Sequence, residues 1–409
     1  MKLAISLLVL CVSLGAQVTP FPGGEPQFSV NPVVYWNRIL LGILQTPGAQ
    51  PATVHPTRSY AMMHAAVYDA VNSIDGGHRS YLNGLPTAPS NASEDAAAAT
   101  AAHDVLVALY PKFQTNFDAW LAQSLAAIPA GQGKNDAVTQ GQKIAALLVA
   151  ARSSDGSAAI PAPYVYGTNP GDFQSTPPNF PTAVFTQWSR VTPFLLQQAS
   201  QFRPPAPPAL TSSAYSDTLN EVQSLGQLRS TTASVTQTLE GRFWNGAVQN
   251  YWNEIAQTAA VAKGLSTAQS ARLFGLLNLT FADSVIAFYD AKYTYARWRP
   301  ISAIRATVNP TWLPQVGNTP ADPSYPGAHA VLSYAAVTVL DSVLGSDQLN
   351  FAVTSEVMAG VHRSFTNFSD AATEAATSRI YAGVHFRVDL TAGQPLGVSV
   401  ANLVLASLP

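Results

Sequence analysis

Apolar residues recur at helical spacing along most of the chain, and strand-like alternation is almost absent. The stretch Ser59 to Ile74 (SYAMMHAAVYDAVNSI) places its apolar positions on one helical stripe, and the alanine-rich run from Glu94 through Leu109 continues the pattern. Further helices are predicted over roughly 114–128, 134–153, 211–226, 230–258, 266–297, 329–344, 370–382 and 389–407. Stops are legible at Gly264, at Gly345 after Leu344, and at Pro300 after Arg299. This pattern implies an all-α helical bundle.

Between about 155 and 210 the periodicity stops. Pro161, Pro163, Pro170, Pro177, Pro178 and Pro181 begin a proline series that forbids a continuous helix. Phe173, Phe180, Phe185, Trp188, Phe194 and Phe202 are interleaved with these prolines, and a flexible linker rarely carries so many aromatics. The segment is therefore expected to be an ordered loop covering the bundle. The chain divides into residues 1–16, a helical region over 17–210 that ends in this loop, and a helical region over 211–409.

Composition narrows the function classes. Of the 409 residues 47% are hydrophobic and only 11% charged, with a net charge of -2. Disorder is excluded as the dominant state, and neither nucleic acid nor an anionic membrane surface suits so small a charge. At the N-terminus, Lys2, the apolar run Leu3 to Val12 and the small residues Ser13 to Ala16 read as an export signal. Cys11, the sole cysteine, lies inside it, so the mature chain would have no disulfide and no thiolate metal site. No later run reads as long and apolar enough to span a bilayer, the nearest being Ile144 to Ala151. A soluble secreted or periplasmic protein is expected.

Because charge is scarce, its clustering matters. Seven of the 21 Lys and Arg residues, and three of the seven histidines, fall between positions 292 and 387. In Lys292-Tyr-Thr-Tyr-Ala-Arg-Trp-Arg299-Pro300, seven residues at about 100° each would return Arg299 to the helix face of Lys292, with Pro300 ending the helix. Two such cations can converge on one anion. In Pro323-Ser-Tyr-Pro-Gly327-Ala328-His329, small residues precede a helix N-terminus, where free N–H groups favour anions and His329 could move a proton. In Ser378-Arg379-Ile-Tyr-Ala-Gly-Val-His385-Phe-Arg-Val-Asp389, Gly383 offers a break that could turn Arg379 and His385 toward one site. Asp389 would neighbour His385 and fix its tautomer.

Together these segments resemble the three-part signature of the type-2 phosphatidic acid phosphatase and vanadium haloperoxidase superfamily. The motifs span about a quarter of the chain; SRIYAGVHFRVD and the long helical N-terminal part are more similar to the haloperoxidase branch, and MMHAAVYDAVNSIDG with the proline- and aromatic-rich loop resembles its bacterial members. The resemblance implies the helical bundle of that superfamily, with Lys292, Arg299, Arg379 and backbone N–H groups near Gly327 and Ala328 binding an oxyanion. It further implies that His385 bonds vanadium, or phosphorus in a phosphatase, that Asp389 orients it, and that His329 is the general acid–base.

Two activities follow from the resemblance. The first is a secreted vanadium-dependent haloperoxidase, with vanadate as cofactor and halide and hydrogen peroxide as substrates. The alternative is a metal-independent acid phosphatase acting on a phosphate ester through a phosphohistidine at His385. An oxyanion-binding protein without turnover is a third class. One departure stands out: the superfamily usually has Ser-Gly-His where this chain has Gly327-Ala328-His329. The missing hydroxyl would cost a charge-assisted hydrogen bond of ~1.5–3 kcal/mol unless water or Ser324 replaces it.

Overall fold

The computed structural model describes residues 28–29 and 31–409, so the expected leader over 1–16 and Cys11 lie outside the described residues. Five helices come first: α1 (Pro32–Gln45), α2 (Pro56–Asp75), α3 (Glu94–Leu109), α4 (Gln114–Ala126) and α5 (Gln132–Ala151). Local chemistry explains several of their ends. Asn31 caps α1 by accepting from the N–H groups of Val33 and Val34, and Ser93 caps α3 with Glu94 and Asp95 in the first turn. Gly76 closes α2 in the left-handed region, at φ 68°.

The second half holds α6 (Ser213–Leu225), α7 (Val235–Phe243), α8 (Val248–Ala262), α9 (Thr267–Tyr295), α10 (Pro300–Thr307), α11 (Ala328–Leu344), α12 (Phe368–Tyr381) and α13 (Arg387–Ser407). The all-α expectation holds, with one addition. Strands β1 (Gln348–Thr354) and β2 (His362–Asn367) pair as an antiparallel hairpin, with Phe351 opposite Phe365 and Val353 opposite Arg363. The expected helix over 230–258 is two helices, α7 and α8, interrupted at Asn245 and Gly246.

Helix α9 is the central pillar. It packs against α2 and α3 from the first half and against α8, α11 and α13 from the second, and one continuous core runs from Val33 to Leu408. Contrary to the sequence reading, α9 is long and apolar enough to cross a membrane. It is instead buried on nearly all sides by protein, which is why its apolar residues form no single stripe.

The proline- and aromatic-rich segment is ordered and packs on α9. Asp283, buried in mid-helix, accepts the N–H groups of Phe194 at 2.6 Å, Leu195 at 2.7 Å and Leu196 at 2.8 Å. Trp188 and Phe173 are buried beneath the segment, whereas Phe180 stays exposed. On its far side, α13 lies against α11 through glycines. A β-carbon on Gly397 would overlap the carbonyl oxygen of Val331, and one on Gly393 would sit 2.8 Å from that of Gly327. This close approach sets the N-terminal ends of α11 and α13 side by side.

Candidate active site

Lys292 and Arg299 meet, but not along one helix. Helix α9 ends at Tyr295, Ala296 turns the chain in the left-handed region at φ 43°, and Arg299 is the residue before α10, with Pro300 as its first residue. Pro300 thus starts a helix where the spacing suggested an end, as its fixed φ favours. The covering segment holds this turn: Phe173 N–H donates to Ala296 O at 2.6 Å and Trp298 N–H to Gly171 O at 2.9 Å. Both cations are buried and converge on Asp322, which sequence reasoning missed. Arg299 Nη2 pairs with Asp322 Oδ1, and Lys292 Nζ lies 3.2 Å from Oδ2. Burial pushes Lys292 down to about 8, opposed by the Asp322 carboxylate. Burial alone would raise the Asp322 carboxyl, but Lys292 and Arg299 hold it below the usual range.

His385 follows the break at Gly383, whose φ is +81°, and stands two residues ahead of α13. Its Nδ1 lies 2.9 Å from Asp389 Oδ2, an oxygen that also accepts from Phe386 N–H at 2.9 Å and from Ser324 Oγ. Burial, and then the charges of Arg299, Lys292 and Arg379, keep the imidazole well below its usual pKa and therefore neutral. With Nδ1–H donated to the carboxylate, Nε2 carries the lone pair, and Arg299 Nη1 donates toward it at 3.0 Å. Ser324 is committed to Asp389 and is not free to replace the missing hydroxyl.

His329 sits in the first turn of α11, half-buried, with Nε2–H donated to the carbonyl of Trp244 at 2.8 Å. Burial and the Arg379 charge hold it neutral as well. Its Nδ1 is the free ring atom. Arg379, in the last turn of α12, donates Nη1 to the same Trp244 carbonyl at 3.3 Å and Nη2 to Asn245 Oδ1 at 3.1 Å. Burial, then the nearby Arg299 charge, brings Arg379 down to about 9. The Trp244 indole is fixed in turn by Glu374, at 2.9 Å, which pairs with Arg363. Trp244, Asn245 and Glu374 carry no sequence spacing that would reveal them; the break at Asn245-Gly246 is the only signal.

Gly327 has φ -79° and ψ 114° and precedes α11, which has no side-chain cap. Its N–H, expected among the oxyanion donors, is given to the carbonyl of Asp389 at 2.9 Å. Ala328 and His329 supply the first-turn amides instead. His362 lies exposed on β2, and Asp283 serves the covering segment. His64 is a core residue hydrogen-bonded to Asn37.

The geometry can be matched to known proteins. A family model described as the VCPO second helical-bundle domain matches residues 272–408, the stretch that contains every residue of the three motifs. Vanadium chloroperoxidase of Curvularia inaequalis is 25% identical over 509 aligned residues, covering 93% of this chain and 83% of that one. The chain is similar to vanadium haloperoxidases, along its C-terminal third by the family model and along nearly its whole length by the curated relative. The crystal structure of the first bacterial vanadium-dependent iodoperoxidase superposes with a TM-score of 0.80 and 26% identity, covering 94% of this chain and 98% of that one. A holo-type bacterial vanadium-dependent chloroperoxidase shares the fold at a TM-score of 0.69 and 17% identity, over 85% of this chain and 90% of that one.

The likeness to vanadium haloperoxidases implies vanadate, an oxyanion, as cofactor, and the residues present fit an oxyanion. Arg379 Nε is buried and has no partner, an orphaned donor in a cage with more cations than carboxylates to match them. One imidazole lone pair among Lys292, Arg299 and Arg379 is a donor set for an anion whose central atom is already surrounded by oxygen.

Proposed function

We propose that this protein is an exported vanadium-dependent haloperoxidase that oxidises halide with hydrogen peroxide. One observation carries the reading: the neutral His385 imidazole, with Nδ1 held by Asp389, turns its Nε2 lone pair toward buried cations. The likeness to vanadium chloroperoxidase over 93% of the chain favours this chemistry over ester hydrolysis. Lys292, Arg299 and Arg379 would hold the oxygens of vanadate, and His385 Nε2 would ligate it. Bound vanadate supplies a Lewis-acidic centre that activates peroxide for oxygen transfer to halide.

Asp389 keeps the His385 proton on Nδ1 and so keeps Nε2 basic. His329 Nδ1, the ring atom without a protein partner, accepts a proton from an incoming hydroxyl group and returns it later, while Trp244 O holds the other ring nitrogen. Export is supported by Lys2, the apolar run Leu3 to Val12 and the small residues before Gln17.

The test is direct. Protein incubated with vanadate and freed of excess by gel filtration should retain stoichiometric vanadium and oxidise iodide, bromide or chloride with hydrogen peroxide. Failure to retain vanadium, combined with hydrolysis of a phosphate monoester in its absence, would replace this reading with a phosphatase acting through His385.

A further inference from the structure

Asp322 stands out because its carboxylate occupies the charges that the cage would offer to a ligand. Lys292 and Arg299 do not need that carboxylate to be positioned. Lys292 Nζ also donates to the carbonyls of Pro323 and Ser324, while Arg299 donates Nε to the Asp322 carbonyl at 2.7 Å and Nη1 to that of Val384 at 2.9 Å. Backbone oxygens therefore fix both side chains. What the Asp322 side chain adds is a negative charge, shared between Oδ1 on Arg299 and Oδ2 on Lys292. Among the described residues no cation outside this pair forms an ion pair with it, and its ionised form is maintained by them. Nearby His55 is buried among Phe185, Trp188 and Tyr289, and burial pushes it down to about 3, so it is neutral and contributes no compensating charge.

Resting on the oxyanion-cage reading above, we propose that Asp322 is a resident counter-anion that sets how tightly this cage holds an oxyanion. The carboxylate neutralises Lys292 and Arg299 before a ligand arrives, and it repels the oxygens of a ligand that shares those cations. The site accordingly binds tetrahedral dianions less tightly than its cations alone would, while the ligand-free chain avoids two unpaired buried charges. Asp322 is thus an affinity-determining residue that makes no bond to the oxyanion.

The prediction has opposite signs for binding and for stability. Asp322→Asn should bind vanadate, and tungstate as a second tetrahedral probe, at least tenfold more tightly by equilibrium dialysis. The same variant should melt at a lower temperature than wild type without an oxyanion and show a larger rise when tungstate is added. Binding that is unchanged or weaker in the folded variant would overturn the inference, because the carboxylate would then be arranging the cations for the ligand. If neither protein binds either probe, the cage reading falls and the inference with it. Should Asp322→Asn not fold, Asp322→Ser prepared with and without tungstate decides: recovery only with tungstate supports the counter-anion role, and failure in both conditions overturns it.

Discussion

His329 and Arg379 share a single acceptor, the backbone carbonyl of Trp244, at 2.8 and 3.3 Å. The proposed proton-moving group and the proposed charge-holding group, from different helices, are thereby fixed relative to each other by one atom. Their losses should nevertheless differ. His329→Ala is expected to retain vanadate but slow turnover by roughly 10²–10⁴-fold, whereas Arg379→Ala should lose vanadate affinity. Dialysis beside turnover at saturating vanadate separates the two. Equal loss of bound vanadate in both variants would contradict the division.

His385→Ala should abolish both vanadate retention and halide oxidation, since His385 Nε2 is the ring nitrogen turned toward Arg299 and assigned to ligate the vanadate. Asp389→Asn keeps the size of the side chain but weakens its hold on Nδ1, and a loss of roughly 10–100-fold in vanadate affinity is expected. Affinity within twofold of wild type would show that Asp389 serves the α13 terminus alone.

Gly327→Ser tests the missing hydroxyl. At φ -79° serine is unstrained, and its β-carbon would meet only ordinary contacts, at 3.5 Å from Asp389 and Leu390. The substitution should leave stability unchanged or raised by a few tenths of a kcal/mol as an N-cap, and tighten vanadate binding by up to about tenfold. Calorimetric titration checks both the sign and the size.

The buried cations give binding a pH signature. Lys292 lies at about 8 and Arg379 at about 9 before an oxyanion arrives, both lowered chiefly by burial. An anion binds their protonated forms, so affinity is fully present below the Lys292 value and is lost as pH rises through it. For tungstate, whose own charge stays constant, affinity should be flat up to about pH 7 and then fall by as much as tenfold per unit. Equilibrium dialysis across that range would show an alkaline rise if the assignment were wrong.

Gly397→Ala should destabilise the protein by about 1–3 kcal/mol, because the added methyl overlaps the Val331 carbonyl where α13 crosses α11. The same displacement moves His329 relative to His385. Denaturant midpoint and kcat should therefore fall together, and a drop in stability with kcat intact would uncouple them.

The helical periodicity and the three motifs were readable because they are local in sequence. Lys292, Arg299, His329, Arg379, His385 and Asp389 each sit in a segment whose own residues mark it. The α9–α10 break was not, because Ala296 in the left-handed region follows from the covering segment gripping the turn. Asp322 and Trp244 act through contacts with distant residues, and no spacing announces them. The hairpin was missed because it is only two short strands: β1 does alternate at Leu349, Phe351 and Val353, but over too few residues to stand out, and β2 offers Phe365 as its one apolar residue.

The three cations and two histidines of the cage each belong to a helix end or the turn beside one: Lys292 lies in the last turn of α9, Arg299 precedes α10, His329 opens α11, Arg379 lies in the last turn of α12 and His385 precedes α13. Helix ends slip or fray before helix middles do. A chain that kept its helical content while those ends shifted would look native by circular dichroism and yet have no place for the oxyanion. The bound oxyanion is therefore a gauge of alignment among five helix termini, finer than any measure of how much helix is present.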